Sequence, residues 1–148
     1  MLEWLDAAAG SAVWIAAPAG HGKSCVAASF ARSRSQLCFW LHLAHADADP
    51  AGFFAHLSAA TGSRLPVPQA EQLADIAAFA RCCLTALFAI FTASSLLVLD
   101  EAEAACEPLQ AVLAEAVTAL PSGACLLITS RTAPPPALAR ARVEGRPR

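Results

Sequence analysis

The stretch Ala17-Pro-Ala-Gly-His-Gly-Lys-Ser24 decides how this 148-residue chain is read. An apolar run, Ala12-Val-Trp-Ile-Ala16, precedes it, and a helix-compatible run, Cys25-Val-Ala-Ala-Ser-Phe-Ala31, follows. A strand, a glycine-containing loop ending in Gly-Lys-Ser, and a helix together predict a phosphate-binding loop. A polyphosphate needs backbone N–H groups that converge from a loop whose side chains stay out of the way. Gly20 and Gly22 permit that approach, and the helix behind them aims its positive dipole end at the anion. Lys23 would reach the β- and γ-phosphates, and the Ser24 hydroxyl would ligate Mg²⁺. The expected nucleotide-binding set is Ala17, Gly20, His21, Gly22, Lys23, Ser24 and Cys25. Within it, His21 takes a variable position that flanks the triphosphate or faces solvent. Ala17 stands where the motif has glycine, at a site that needs only a small residue. The competing reading is a surface turn that contains Gly-Lys-Ser by chance; the flanking strand and helix weigh against it.

A phosphate loop calls for a second motif, an apolar strand ending in an acid. Ser95-Leu-Leu-Val-Leu-Asp-Glu101 has that form. Asp100 would hold Mg²⁺, directly or through water, at the carboxyl end of its strand, where ligands of open α/β sheets bind. Glu101 would polarise an attacking water. The plainer alternative is a strand that ends in a solvated acidic turn, since Glu103 and Glu107 follow. Thr129-Ser-Arg131 closes a later strand. Arg131 there would sense the γ-phosphate or stabilise charge in the transition state, against the alternative of a surface arginine. His42, His45 and His56 show no ligand pattern and receive no chemistry.

The rest of the chain reads as strand–helix alternation. Further strands are expected at Leu37–Leu43, Leu96–Asp100 and Ala124–Ser130. None alternates cleanly, as parallel strands covered on both faces do not. Helices are expected over Pro50–Ala60 and from Pro108 to Leu120. The longest is expected across Leu73, Ile76, Ala80, Leu84, Leu87, Phe88 and Phe91, spaced by three and four. The expectation is therefore an α/β fold, a three-layer sandwich with a mostly parallel sheet. The nucleotide-binding core would span 1–133, and a Pro/Arg-rich tail 134–148, with Pro134-Pro-Pro136 as an exit loop.

Composition narrows the function classes. Charged residues make up 15% of the chain and apolar ones 57%, against a usual ~25% charged. Much of the chain must then be inside or covered. A net charge of −2 gives no electrostatic footprint for direct nucleic-acid binding. The six cysteines show no zinc-ligand spacing and read as reduced thiols of a cytoplasmic protein, several of them small apolar fillers. The start, Met1-Leu-Glu-Trp-Leu-Asp6, carries acids where a signal peptide carries bases. The uncharged stretch between Arg81 and Asp100 reaches spanning length, but Thr92-Ala-Ser-Ser95 breaks it into a helical part and a strand.

Trp14-Ile-Ala-Ala-Pro-Ala-Gly-His-Gly-Lys-Ser24 resembles the start of STAND-class P-loop ATPases, in the branch of large bacterial regulators that includes the maltose-regulon activator. Phe39-Trp-Leu-His-Leu43 with Asp47-Ala-Asp-Pro50 and Phe53-Phe54 is similar to that family's second strand, acidic turn and following helix. The likeness continues through Leu96–Asp100 and Leu126-Leu-Ile-Thr-Ser-Arg131 to Pro134-Pro135. It implies an ATP-dependent switch that works through self-association or through further regulator domains, and possesses a fifth strand beside the phosphate-loop strand. The chain stops about where that strand would begin. Two departures stand out: Ala44 replaces an acid usual after the second strand, and Glu101 replaces a usual Asp or Asn. Two rival readings remain, a small stand-alone P-loop kinase or NTPase and a non-catalytic interaction domain that keeps the fold. The kinase reading wants an arginine-rich lid, which Ala102 to Gly123 does not supply.

Overall fold

The computed structural model describes residues 12–34, 37–43 and 49–138. The expectations placed on the N-terminal start, on Ala44, His45 and Asp47, and on the basic end from Arg140 to Arg148 lie outside those residues. Strands β1 (Ala12–Ala16), β2 (Leu37–His42), β3 (Ser95–Asp100) and β4 (Cys125–Ser130) form one sheet. Its order is β1-β4-β3-β2 and every pairing is parallel. The two central strands, β3 and β4, are buried at every position, which explains their unbroken apolar runs.

Helices cover both faces. Alternate side chains of the central strands turn opposite ways: Leu96, Val98, Cys125 and Leu127 pack with Ala27 and Phe30 of α1 (Lys23–Arg34). Leu97, Leu99, Leu126 and Ile128 pack instead with three helices, α2 (Pro50–Thr61), α3 (Ile76–Phe88) and α4 (Glu107–Ala119). The three-helix side carries most of the core, including Phe53, Phe54, Leu57, Leu84 and Leu113, all at most 1% exposed. A bidentate Arg81–Glu115 pair, with both hydrogen bonds at 3.0 Å, ties α3 to α4. That pairing holds the Arg81 guanidinium above its ordinary pKa range, first through the Glu115 hydrogen bond and then through its charge.

Local chemistry sets the element ends. Asp49 caps α2 by accepting from the Gly52 N–H at 3.0 Å, and Pro50 sits in the first turn, where its missing N–H costs nothing. Asp75 caps α3 by accepting from the Ala78 N–H at 3.2 Å. This cap corrects the expected long helix. A 3₁₀ turn, Gln72–Asp75, precedes α3, and Leu73 lies in it 46% exposed. Phe91 lies beyond the helix yet is buried, stacked on Phe39 at 5.6 Å. With 13 residues each, α3 and α4 are equal in length.

At Gly123 the backbone has φ +86°, and a Cβ there would lie 2.8 Å from the Ala93 Cβ. Only glycine fits that approach between the turn before β3 and the turn before β4. The segment after β4 returns to the body rather than leaving it at once. Leu138 is 5% exposed and belongs to the three-helix core. Among the described residues no helix is long and apolar enough to cross a membrane. None of the six cysteines, all described, forms a disulfide. Cys83 and Cys125 are buried as expected of apolar fillers, but Cys25, Cys38 and Cys82 are exposed.

Candidate functional site

Parallel pairing brings the carboxyl ends of all four strands to one rim. The register sets Ala16 beside Ser130, and His42 beside Asp100; Leu99 lies opposite Ile128, so Asp100 adjoins Thr129. The Ala17–Ser24 loop springs from this rim. Its first residue continues the ladder, with the Ala17 N–H donating to the Ser130 carbonyl at 3.1 Å. Gly20 and Gly22 then take φ +78° and +73°, with nothing within 4 Å of where a Cβ would stand. Two left-handed residues turn the chain sharply enough for α1 to start at Lys23. The Val26 N–H closes the first turn onto the Gly22 carbonyl at 2.9 Å.

Lys23 folds back over the loop, where its ammonium donates to the carbonyls of Ala17 at 2.7 Å and Pro18 at 3.0 Å. A His21 ring nitrogen lies 3.1 Å from the Ala19 carbonyl, and the residue is exposed, as is Cys25. Ser24 bridges to the second motif. Its hydroxyl lies 3.1 and 3.0 Å from the two oxygens of Asp100, across 76 positions of sequence. Asp100 is only 6% exposed, a burial that a carboxylate tolerates when hydrogen bonds satisfy it. Thr129, fully buried, supplies another such bond through its hydroxyl.

Glu101 has the unusual backbone. Its φ of 62° and ψ of 48° are left-handed, and it is the one non-glycine residue with positive φ among those described. The Thr129 hydroxyl accepts from the Glu101 N–H at 3.2 Å, and the Glu101 carbonyl accepts from the Ala104 N–H at 3.3 Å. Its carboxylate points to two basic groups: His42 Nε2 lies 3.4 Å from Oε2, and Arg131 Nη2 lies 3.7 Å from Oε1. Arg131 is bound more closely to Glu103, by Nε to Oε1 at 2.9 Å and by its backbone N–H to Oε2 at 3.0 Å.

The structure therefore gathers Ser24, Asp100, Glu101 and Arg131 around one rim, with Lys23 on the loop above it. Sequence reasoning missed two participants, His42 and Glu103, and named Thr129 only as part of the strand end that carries Arg131. His42 was assigned no chemistry because its neighbours come from strand pairing rather than from local spacing. The oxygen-only pair of Ser24 and Asp100 suits a hard cation that takes its remaining ligands from phosphates and water. Among the described residues no group of three or more His, Cys, Asp or Glu side chains could hold a metal ion by itself. An apolar cavity of about 230 Å³, lined by Trp14, Val117, Ile128, Pro134 and Leu138 among others, lies beside β1. Its lining includes neither the loop nor the acidic strand ends, and it offers nothing that a phosphate would choose.

Compared with known proteins, the chain matches no family model and no curated protein.

Proposed function

We propose that this chain binds ATP·Mg²⁺ at the Ala17–Ser24 loop and hydrolyses it slowly, as the nucleotide switch of a STAND-type transcriptional regulator. The observation that carries the reading is the Ser24 hydroxyl set 3.1 and 3.0 Å from the two Asp100 oxygens. One residue begins a helix after a doubly left-handed glycine loop; the other ends a buried parallel strand. A hydroxyl and a carboxylate so placed are the two protein ligands that a nucleotide-bound Mg²⁺ requires. Ser24 and Asp100 would hold the Mg²⁺, which would supply charge neutralisation at the phosphates.

The chain's own groups do the rest. Loop N–H groups and the α1 N-terminus hold the phosphates, and Lys23 exchanges its two carbonyl partners for phosphate oxygens. Thr129 fixes the Asp100 carboxylate. Glu101 orients the attacking water and accepts its proton. Arg131, steadied by Glu103, faces the charge that develops on the transferred group. Slow turnover follows from exposure. The Glu101 and Arg131 side chains are 41% and 54% exposed, so water screens them and little of their electrostatic strength is realised. Membership in a regulator rests on the resemblance of the phosphate-loop, second-strand and Leu126–Arg131 segments. The free cysteines support a cytoplasmic location, and the resemblance supports self-association or attached domains as partners.

Isothermal calorimetry of ATP·Mg²⁺ on the native chain and on Lys23→Ala tests the reading. A hydrogen bond to a charged group contributes about 1.5–3 kcal/mol, so the variant is expected to bind about 10- to 100-fold more weakly. Equal affinity in the two chains, or no binding by the folded native chain, would count against it.

A further inference from the structure

The geometry points to His42 as a positioning residue that, together with Arg131, holds the Glu101 carboxylate in line for its water. The inference rests on the nucleotide reading above and extends it to a side chain that the motifs do not include.

Strand order creates the arrangement. β3 lies between β4 and β2, so the residue after Asp100 has a neighbour strand on each side. His42 ends β2, and its ring presents one nitrogen to each acid: Nδ1 at 3.7 Å from Asp100 Oδ2, and Nε2 at 3.4 Å from Glu101 Oε2. Arg131 follows β4 and approaches the other Glu101 oxygen at 3.7 Å. Each oxygen of Glu101 therefore faces one nitrogen, from opposite sides. Asp100 needs His42 less, since Ser24 and Thr129 already hydrogen-bond to it. Arg131 is largely committed to Glu103 through two closer contacts. That leaves the His42 contact as the shorter of the two that fix the rotation of the Glu101 carboxylate.

The left-handed backbone of Glu101 makes side-chain restraint necessary. A residue held in a sparsely populated region persists because its surroundings over-determine it, and such residues cluster at working sites. Here the backbone is held by Thr129 and Ala104, while the carboxylate is held only at the rim. The His42 side chain is 55% exposed, and pairs at that exposure contribute little to stability. Removing the ring therefore leaves the fold intact and frees the carboxylate. An effect on turnover without an effect on folding or binding is what separates positioning from a structural role.

The test uses the full chain and six proteins: native, Lys23→Ala, His42→Ala, His42→Gln, and Glu101→Gln with and without His42→Ala. ATP·Mg²⁺ affinity comes from calorimetry and turnover from phosphate release, with thermal melts as the folding control. His42→Ala is expected to lower kcat about tenfold, with Kd held within about twofold. His42→Gln, which restores an N–H near Oε2, is expected to regain most of that loss. On the Glu101→Gln background, removal of His42 should cost less than about twofold, because the two residues act as one unit. Unchanged kcat in His42→Ala, a matching loss of affinity, or a full tenfold further loss on Glu101→Gln each overturns the inference while leaving the nucleotide reading in place. A native chain that binds ATP·Mg²⁺ without releasing phosphate overturns the inference and the hydrolysis part of the proposed function, and leaves nucleotide binding standing. ATP affinity indifferent to Lys23→Ala brings down the nucleotide reading and the His42 inference together.

Discussion

Glu101 pays a conformational cost where its neighbours do not. Its φ of 62° costs an L-residue about 1–2 kcal/mol relative to glycine. Glu101→Gly is therefore expected to raise folding stability by about 1 kcal/mol, less whatever the more flexible glycine loses from the unfolded chain. The same change removes the proposed base. A urea titration that shows Glu101→Gly clearly less stable than native would mean that its rim contacts stabilise the fold more than its backbone strains it. At this scale the sequence was informative wherever chemistry is local. Gly20, Gly22, Lys23 and Ser24 could be read because the loop's needs are met within eight consecutive positions, and Asp100 because it ends an apolar run. His42, Glu103 and the Thr129–Asp100 bond could not, because strand pairing and the turns that follow the strands bring these partners together. Thr129 adjoins Asp100 only because β4 lies beside β3, and nothing in the local composition records that pairing.

Elements were legible from periodicity and from their punctuation, with one instructive failure. The expected strands 12–16 and 96–100 lie within β1 and β3, and the Pro50 and Pro108 helix starts fall in the first turns of α2 and α4. The spacing from Leu73 to Phe91 continues smoothly through a real break. Asp75 accepts from the Ala78 N–H, so a cap inside the apolar pattern starts the helix three residues later than the pattern suggests. A count of apolar positions cannot see that; the position of the aspartate can. Loops between elements carry their own constraint at Gly123. A Cβ there meets the Ala93 Cβ at 2.8 Å and its Cα at 2.9 Å, on a backbone of φ +86°. Gly123→Ala should cost at least about 2 kcal/mol, from strain and overlap together. Gly22→Ala has open space around it and should cost only the backbone term of about 1–2 kcal/mol. Denaturant midpoints that rank the two variants the other way would show that the turns around Ala93 and Gly123 can move apart.

Across the whole molecule, the covering of the sheet is uneven. Among the described residues, one face packs under three helices, while the other packs against α1. The α1 face is the one that presents the loop, so the helix that would receive phosphate also holds down half of the sheet through Phe30 and Ala27. A ligand at Lys23 and Ser24 would therefore act on the helix that packs this face, which is how binding would bias the proposed switch. β1 ends the sheet order, at the edge where the resembled family has its fifth strand. A mostly parallel sheet followed from strand–helix alternation, but its being parallel throughout and its order β1-β4-β3-β2 did not, and that order is what assembles the candidate site. It puts β4 between the loop strand and the acidic strand, so that Thr129 reaches Asp100. The central claim is that Ser24 and Asp100 share one Mg²⁺ with a nucleotide. The most direct measurement is ATP affinity with Mg²⁺ and with excess chelator, for the native chain and for Asp100→Asn. The account predicts that the native chain binds at least about tenfold more tightly with Mg²⁺ and that Asp100→Asn loses most of this difference. Native affinity that ignores Mg²⁺, or a Mg²⁺ dependence that survives Asp100→Asn, would contradict it.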